Sequence, residues 1–188
     1  MNEIMFFDTE TTGIPDWRLP SDDPVQPHLV RLAAVVADAE SRTITQQLDC
    51  VVRPDGWQIP QETIDIHGIT MEKAQADGMP ESLALQNFLA LWNDKHRVAH
   101  NTTFDNRIIR IATKRYSDQD TINAWHKGAY TCTGIMARKA MGLNKMPKLT
   151  EAYAHFMRRE LDNAHDAMAD AVACMNIYFA MQDIEARA

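Results

Sequence analysis

Five acidic and histidine side chains, spread along the whole chain, have the types needed for one hydrolytic centre. They are Asp8, Glu10, Asp105, His165 and Asp170, in the segments FFDTETTG (6–13), AHNTTFDN (99–106) and NAHDAMAD (163–170). Four carboxylates in one site raise each other's pKa unless cations compensate their charge. A pair of divalent metal ions removes that cost and creates a centre that activates water. The set therefore predicts a metal-dependent phosphodiesterase.

The first motif pairs Asp8 with Glu10 at the end of an apolar run, residues 4–7. Residues two apart on a strand point to the same side, so both carboxylates can reach one ion. Oxygen ligands of this kind favour Mg²⁺ or Mn²⁺ over zinc. We expect residues 11–13 to turn the chain and to leave backbone N–H groups free for a phosphate or base. The alternative is an acidic strand end followed by a polar turn, although charges that end a buried strand usually have a purpose.

The second motif places Asp105 in the first turn of a predicted helix. The helix dipole alone favours an acid at that position, so a purely structural role is the alternative. His100 and Asn101 precede it at the end of a predicted strand, where ligands tend to bind in open α/β sheets. Their position favours the functional interpretation.

The third motif contains His165 and Asp170, which are five residues apart. On an ideal helix that spacing corresponds to about 140°, so the two side chains converge only if His165 lies at or before the helix start. Asn163 is the candidate N-cap. Asp166 is the rival ligand because it lies four residues before Asp170, but we interpret it as a partner of the helix dipole. A histidine before a helix is otherwise a common cap or surface residue.

Length and composition predict one domain, residues 1–188, with one substantial core. No apolar run approaches the roughly 20 residues that span a bilayer. The N-terminal residues have no basic region ahead of an apolar stretch, so no secretory signal is visible. The three cysteines are far apart and form no paired motif, which argues against a thiolate zinc site or a disulfide framework and fits small buried apolar groups in a reducing compartment. We therefore expect a cytoplasmic protein without a membrane partner.

The net charge of −7 is distributed unevenly along the chain. Residues 1–94 hold 5 Lys/Arg against 16 Asp/Glu, whereas residues 95–188 hold 14 against 10. Basic side chains cluster around residues 107–115, 138–148 and 158–159. A local basic surface could bind phosphates, while the global charge argues against tight nonspecific binding of duplexes. Solvated helix faces are an equally good explanation of any one cluster.

The order of predicted elements indicates a mixed α/β fold. Strands are predicted at 3–8, 28–38, 43–52, 97–100 and 129–133, with a hairpin at 39–42. Helices are predicted from Pro60 to about Gly68, from Pro80 to Trp92, at about 102–116, 133–141 and 148–158, and from Ala164 to Glu185. Thr102 or Thr103 is the expected cap of the third helix, and residues 14–27 form a proline-rich loop. The result is a five-stranded mixed sheet flanked by helices, compatible with the ribonuclease H-like fold.

The three motifs in this order resemble those of the DEDD 3′–5′ exonucleases that carry a histidine in the third motif. FDTETTG, HNTTFD and the His165/Asp170 pair match the family almost letter for letter, and the likeness extends from about residue 3 to 180. The segment IHGIT (66–70) is similar to one in bacterial polymerase III proofreading subunits and their phage relatives. Because the chain ends after its last helix, without the long extension of those subunits, we expect a stand-alone nuclease or a phage-type protein.

The resemblance implies roles for individual residues. Asp8, Glu10, Asp105 and Asp170 would bind two divalent ions, Mg²⁺ or Mn²⁺, and His165 would accept the proton of the attacking water. Products would be nucleoside 5′-monophosphates released from a 3′ end. The substrate contacts that the resemblance implies are Thr9, Thr11, Thr12, Ile14 as an apolar wedge, His67 and Asn101. For His67, stabilisation of a helix C-terminus is an equally good explanation.

Three functions remain open from the sequence. The leading hypothesis is a 3′–5′ exonuclease on single-stranded DNA. An exoribonuclease of the oligoribonuclease or RNA-trimming type would share the catalytic set and differ in contacts to the 2′-OH. The third is a non-catalytic module that holds nucleic acid or a polymerase. A polymerase partner and a homodimer are both possible; the residues Met175, Tyr178 and Phe179 could be core or interface.

Overall fold

The computed structural model describes residues 3–186 and contains one six-stranded mixed sheet. Its strands are β1 (Glu3–Thr11), β2 (Leu29–Asp38), β3 (Ile44–Arg53), β4 (Met79–Pro80), β5 (His96–Ala99) and β6 (Tyr130–Cys132). The spatial order is β4-β3-β2-β1-β5-β6. The first three strands form the predicted antiparallel meander, and β5 and β6 continue the sheet in parallel. The fold prediction is confirmed, but the sheet has six strands rather than the predicted five. The prediction missed β4 because a strand of two residues is too short to show a periodic pattern.

Eight helices surround the sheet in the described part of the chain. They are α1 (Gln61–His67), α2 (Met71–Asp77), α3 (Glu81–Trp92), α4 (Thr102–Tyr116), α5 (Gln119–Lys127), α6 (Thr133–Ala140), α7 (Leu149–Met157) and α8 (Ala167–Glu185). Six of them were predicted, and α1 ends at Gly68, whose φ of 70° suits glycine. The prediction missed α2 and α5, which are short and have few apolar positions. No helix within residues 3–186 is long and apolar enough to span a membrane.

The central strand β1 alternates between two apolar layers. Met5 and Phe7 pack into the larger core beneath α3, α4 and α5. Ile4 and Phe6 pack on the other side, against residues of α8 such as Phe179. Since side chains of a strand alternate, Asp8 continues the α8 side of the sheet and the next residue continues the α4 side. The apolar alternation of β1 therefore decides which helix each residue of the first motif meets.

The last helix, α8, is buried along most of its length. Met175 and Phe179 are each 7% exposed and pack against the sheet, and Tyr178 contacts the same cluster. These three residues thus belong to the core. The three free cysteines are buried as well, as the sequence suggested.

The loop 14–27 has a dense internal hydrogen-bond network. Gln26 is 2% exposed, and its amide donates to the carbonyls of Asp16 and Pro20 and accepts from the Asp16 N–H. Arg107 and Arg115 of α4 donate to the carbonyls of Leu19 and Pro27. Buried side chains replace the missing secondary-structure bonds, so the loop has a defined path beside α4.

Candidate metal-dependent active site

Asp8 and Glu10 lie on the same side of β1 where the strand leaves the core. Both side chains are half-buried, whereas Thr9 between them is buried and faces the α4 side. Glu10 is paired in register with Arg31 of β2, next to a shift in the register after Glu10. The strand geometry predicted for the first motif is therefore present.

Asp105 reaches the site from the start of α4, on the other side of the sheet. Its carboxylate is 2% exposed and accepts a hydrogen bond of 2.8 Å from the Thr9 hydroxyl. The helix begins after Asn101, which has φ 64° and makes no side-chain cap. The prediction that Thr102 or Thr103 caps α4 was wrong: Thr102 is inside the helix, and its hydroxyl donates to the carbonyls of Ala99 and Thr131.

His165 and Asp170 meet because His165 precedes α8. The Asp166 side chain caps the helix by accepting from the Ala169 N–H, so the expectation that Asn163 is the cap was wrong. His165 lies in a turn with φ 68°, and its backbone N–H donates to Asp170 Oδ2 at 3.1 Å. Asp166 binds Arg31, which gives its carboxylate a partner outside the cluster.

The four carboxylates form one electrostatic cluster. Burial, with Asp105, Asp170 and Glu10 nearby, raises the pKa of Asp8 well above its ordinary value. Burial and the charges of Asp170 and Asp105 raise the pKa of Glu10 to about 8. Burial is also the largest cause that raises the pKa of Asp105 to about 7 and that of Asp170 to about 6. The raised pKa values mean that the positive charge nearby does not offset the burial and mutual repulsion of these carboxylates.

Arg31 acts as a partial counterion of Asp8 and Glu10, and the sequence analysis did not identify it. It donates to Asp49 and Asp166, and its charge lowers the pKa of both Asp8 and Glu10 against the larger effects that raise them. The available signal was a single arginine in the otherwise apolar strand LVRLAAVV. A charged residue in such a strand usually has a specific partner.

The donor set fits a hard divalent cation. One ligand atom each from Glu10, His165 and Asp170 lie within 4.8 Å of one another. Asp170 Oδ1 is buried and has no hydrogen-bond partner among residues 3–186. A buried carboxylate oxygen without a partner costs free energy unless another group, such as a cation, satisfies it. The oxygen-rich composition suits Mg²⁺ or Mn²⁺.

Thr12 and Gly13 do not leave their backbone donors free, contrary to the sequence expectation. The Thr12 N–H donates to the His28 carbonyl, and the Gly13 N–H donates to the Thr11 hydroxyl. The Thr12 hydroxyl accepts from the His28 N–H. The reason is that the chain keeps bonding to the segment before β2 through Thr12, while the Thr11 side chain accepts from Gly13. The Thr9 hydroxyl is also used, because it donates to Asp105 and positions that carboxylate.

The other predicted substrate residues differ in their accessibility. Ile14 is 79% exposed and Asn101 is exposed, so both side chains are available to a ligand. His67 ends α1 beside the backbone of Thr11, and its Nδ1 accepts from the Ile69 N–H. Burial lowers the pKa of His67. A neutral ring gives little stabilisation of the helix dipole, which weakens the alternative role suggested for this residue.

Residues 5–178 match the model of the exonuclease family RNase_T. The chain belongs to this family of exonucleases, and the resemblance to the DEDD enzymes with a third-motif histidine is confirmed. A comparison with curated proteins gives no match.

Solved structures of exonuclease I have the same fold. E. coli exonuclease I in complex with a dA16 oligonucleotide is 21% identical, with a TM-score of 0.79, and the match covers 100% of this chain and 42% of that one. The zinc-bound complex of the same enzyme with single-stranded DNA is 23% identical, with a TM-score of 0.76 over the same shares. The chain thus spans about two fifths of the length of these exonuclease I chains.

Proposed function

We propose that the protein is a 3′–5′ exonuclease that hydrolyses single-stranded DNA and releases nucleoside 5′-monophosphates. The observation that carries this proposal is the cluster of Asp8, Glu10, Asp105 and Asp170, whose charges have no sufficient partner among the described residues. Membership of an exonuclease family supports the reaction type. That E. coli exonuclease I of the same fold binds dA16 and dT13 supports DNA as the substrate.

The four carboxylates would hold two divalent ions, Mg²⁺ or Mn²⁺. When bound, these ions supply positive charge for the attacking water, the phosphate and the leaving 3′ oxygen. Thr9 keeps the Asp105 carboxylate in place through its hydroxyl. Arg31 holds Asp166 at the start of α8, which positions the turn that carries His165.

His165 would accept the proton of the attacking water. Its backbone is held by Asp170 Oδ2, while its side chain is exposed, so the ring faces solvent beside Glu10 and Asp170. An imidazole can accept and release a proton near neutral pH, which this role requires. Ile14 and Asn101 would contact the terminal nucleotide through their exposed side chains. Further contacts would come from His67 and from Thr9, Thr11 and Thr12.

The test is a gel time course with 5′-labelled single strands of DNA and RNA of one sequence, each with a free or phosphate-blocked 3′ end. We expect a DNA ladder that shortens from the 3′ end with Mg²⁺ or Mn²⁺ and stops with EDTA or with the block. A ladder mainly on RNA would make the protein an exoribonuclease. Absence of cleavage in a folded sample would contradict catalysis and favour a binding module.

A further inference from the structure

A second cationic site lies around Arg97, outside the carboxylate cluster. Arg97 is in β5 and is 2% exposed. Its guanidinium donates to Asn106 Oδ1 at 2.9 Å and to the Trp125 carbonyl at 2.7 Å, and lies 3.8 Å from the centre of a Trp125 ring. Its Nη1 is buried without a hydrogen-bond partner in the described chain.

The charge of Arg97 has no acidic partner. Within residues 3–186, no carboxylate lies within ion-pair distance of Arg97, Arg107 or Arg110. Burial, with Arg110 as a neighbouring positive charge, lowers the pKa of Arg97 to about 10. Buried charges are usually paired, so an arginine that has only neutral acceptors and aromatic rings is unusual. An anion would supply the missing charge.

A pocket with the size and lining for such an anion is present. It has a volume of about 130 Å³ and is lined by Arg97 and Arg110, with Thr103, His126 and Tyr130 as further polar groups. This volume holds about four water molecules, and so can take the four oxygens of a phosphate group. No acidic side chain contributes to the lining. Arg110 suits this ligand because the planar donors of an arginine match phosphate oxygens, whereas Arg97, whose Nη1 lies against Gly128, contributes its positive charge.

We propose that the Arg97/Arg110 pocket binds a phosphate group. Thr103 and Asn106 of its lining are sequence neighbours of Asp105 in the first turns of α4, so the pocket lies along the helix that contributes Asp105 to the candidate active site. The phosphate that this position favours is one in the substrate strand, upstream of the bond that is cut. This choice of source rests on the proposed function, whereas the phosphate site itself does not.

A larger groove continues from the pocket along α4. It has a volume of about 410 Å³, shares Arg110 and His126 with the pocket, and is also lined by Lys114 and by residues 20–22 of the loop. Asp22 is its one acidic residue. Trp17 of the same loop is 53% exposed and packs near the Arg107 guanidinium, 5.8 Å from ring centre to Cζ. Basic grooves with exposed aromatic rings are typical of single-strand binding surfaces.

The first arm of the test measures phosphate without metal or turnover. Inorganic phosphate is titrated by calorimetry into the full chain in EDTA, for wild type, Arg110→Gln and the exposed control Arg138→Gln. We expect saturable binding that Arg110→Gln weakens roughly ten- to a hundredfold, because it loses charge-assisted hydrogen bonds. The control should match wild type. Absence of saturable binding, or equal affinity in all three proteins, would overturn the site and leave Arg97 as a core residue only.

The second arm distinguishes the source of the phosphate. Values of KM and kcat are compared for a dinucleotide and for longer single strands. If the pocket binds the strand, Arg110→Gln should raise KM roughly tenfold for the longer strands and leave the dinucleotide unchanged. An unchanged KM at every length would overturn the strand as the source, while the calorimetric arm still tests free phosphate. If the protein had no nuclease activity, the proposed function would fail in this second arm, and the first arm would still test the phosphate site.

Discussion

Asp105 and Glu81 are both buried carboxylates, but their surroundings differ in the number of partners. Glu81 begins α3 and is 5% exposed. Its oxygens accept from the Leu29 N–H and the Tyr116 hydroxyl, both at 2.9 Å, and His28 Nδ1 lies 2.7 Å away. Asp105 has one side-chain donor, Thr9, and three other carboxylates nearby.

The pKa values of the two regions move in opposite directions. Burial alone would raise the pKa of Glu81, but the bonds from His28, Leu29 and Tyr116 hold it below its ordinary value. Burial raises the pKa of Asp105 to about 7, and the hydrogen bonds from the Thr9 hydroxyl and from the backbone of Thr9 and Asp105 do not reverse this. Burial of an acid is therefore a poor marker of function, whereas burial that hydrogen bonds do not offset points to a missing ligand.

The largest expected effect is a loss of activity when a residue of the carboxylate cluster is replaced. Asp8→Asn should abolish turnover with Mg²⁺, by more than roughly 10³-fold, because it removes a ligand charge that the reaction needs. The fold should remain, since an amide replaces a carboxyl group that is already difficult to ionise. Rates from the gel assay check this, with Asp77→Asn, an exposed acid at the end of α2, as the control. Near-normal activity of Asp8→Asn would rule out the metal assignment.

His165→Ala should cause the next largest loss. Removal of a general base usually lowers the rate by roughly 10²–10⁴. Metal affinity should change far less than in Asp8→Asn, because the four carboxylates remain. The readout is kcat in Mg²⁺ against the exposed control His155→Ala. A decrease smaller than tenfold would leave His165 without this role.

Glu81→Gln tests the structural carboxylate of the comparison. Loss of charge-assisted bonds should lower the free energy of unfolding by about 1–3 kcal/mol, and Tm by roughly 4–10 °C. The rate per folded molecule should stay near that of wild type. Thermal melts and kcat measure the two effects, with the exposed Glu62→Gln as the control. Loss of activity at unchanged Tm would mean that Glu81 is not mainly structural.

The two regions should also respond oppositely to pH. Glu81, with a lowered pKa, stabilises the fold above the pKa of the unfolded carboxyl, and this stability is lost on acidification. The cluster has raised pKa values, so the metal-free protein binds more protons when folded and loses stability as pH rises from about 5 to 8.

Divalent ions should reverse the loss at high pH. At saturating Mg²⁺ we expect Tm to rise by roughly 5–10 °C at pH 8 and by less at pH 6. Melts in EDTA and in Mg²⁺ at the two pH values provide the comparison. An equal rise at both pH values, or none at pH 8, would contradict the role given to these carboxylates.

Much of this arrangement follows from local patterns. The apolar run before Asp8 predicted a strand, and the spacing of Asp8 and Glu10 predicted their shared side. The need for His165 to precede α8 also followed from helix geometry, and the structure has it there. These features depend only on neighbours in the sequence.

Contacts between distant segments were not predictable in this way. Asp166 rather than Asn163 caps α8, and it is also held by Arg31 from 135 residues away. The Thr12 N–H is used by a bond to the His28 carbonyl, beyond a register shift between β1 and β2. The partners of Glu81 come from two distant segments, residues 28–29 and Tyr116, so the sequence around Glu81 could not predict its hydrogen bonds.

The central claim is that the four clustered carboxylates form a divalent metal site. The most direct measurement is calorimetric titration of Mn²⁺ into EDTA-treated, dialysed protein, for wild type, Asp8→Asn and the control Asp77→Asn. We predict saturable binding with proton release in wild type and in the control, and a large loss of affinity in Asp8→Asn. Absence of Mn²⁺ binding in folded wild-type protein, or equal affinity in all three, would contradict the account.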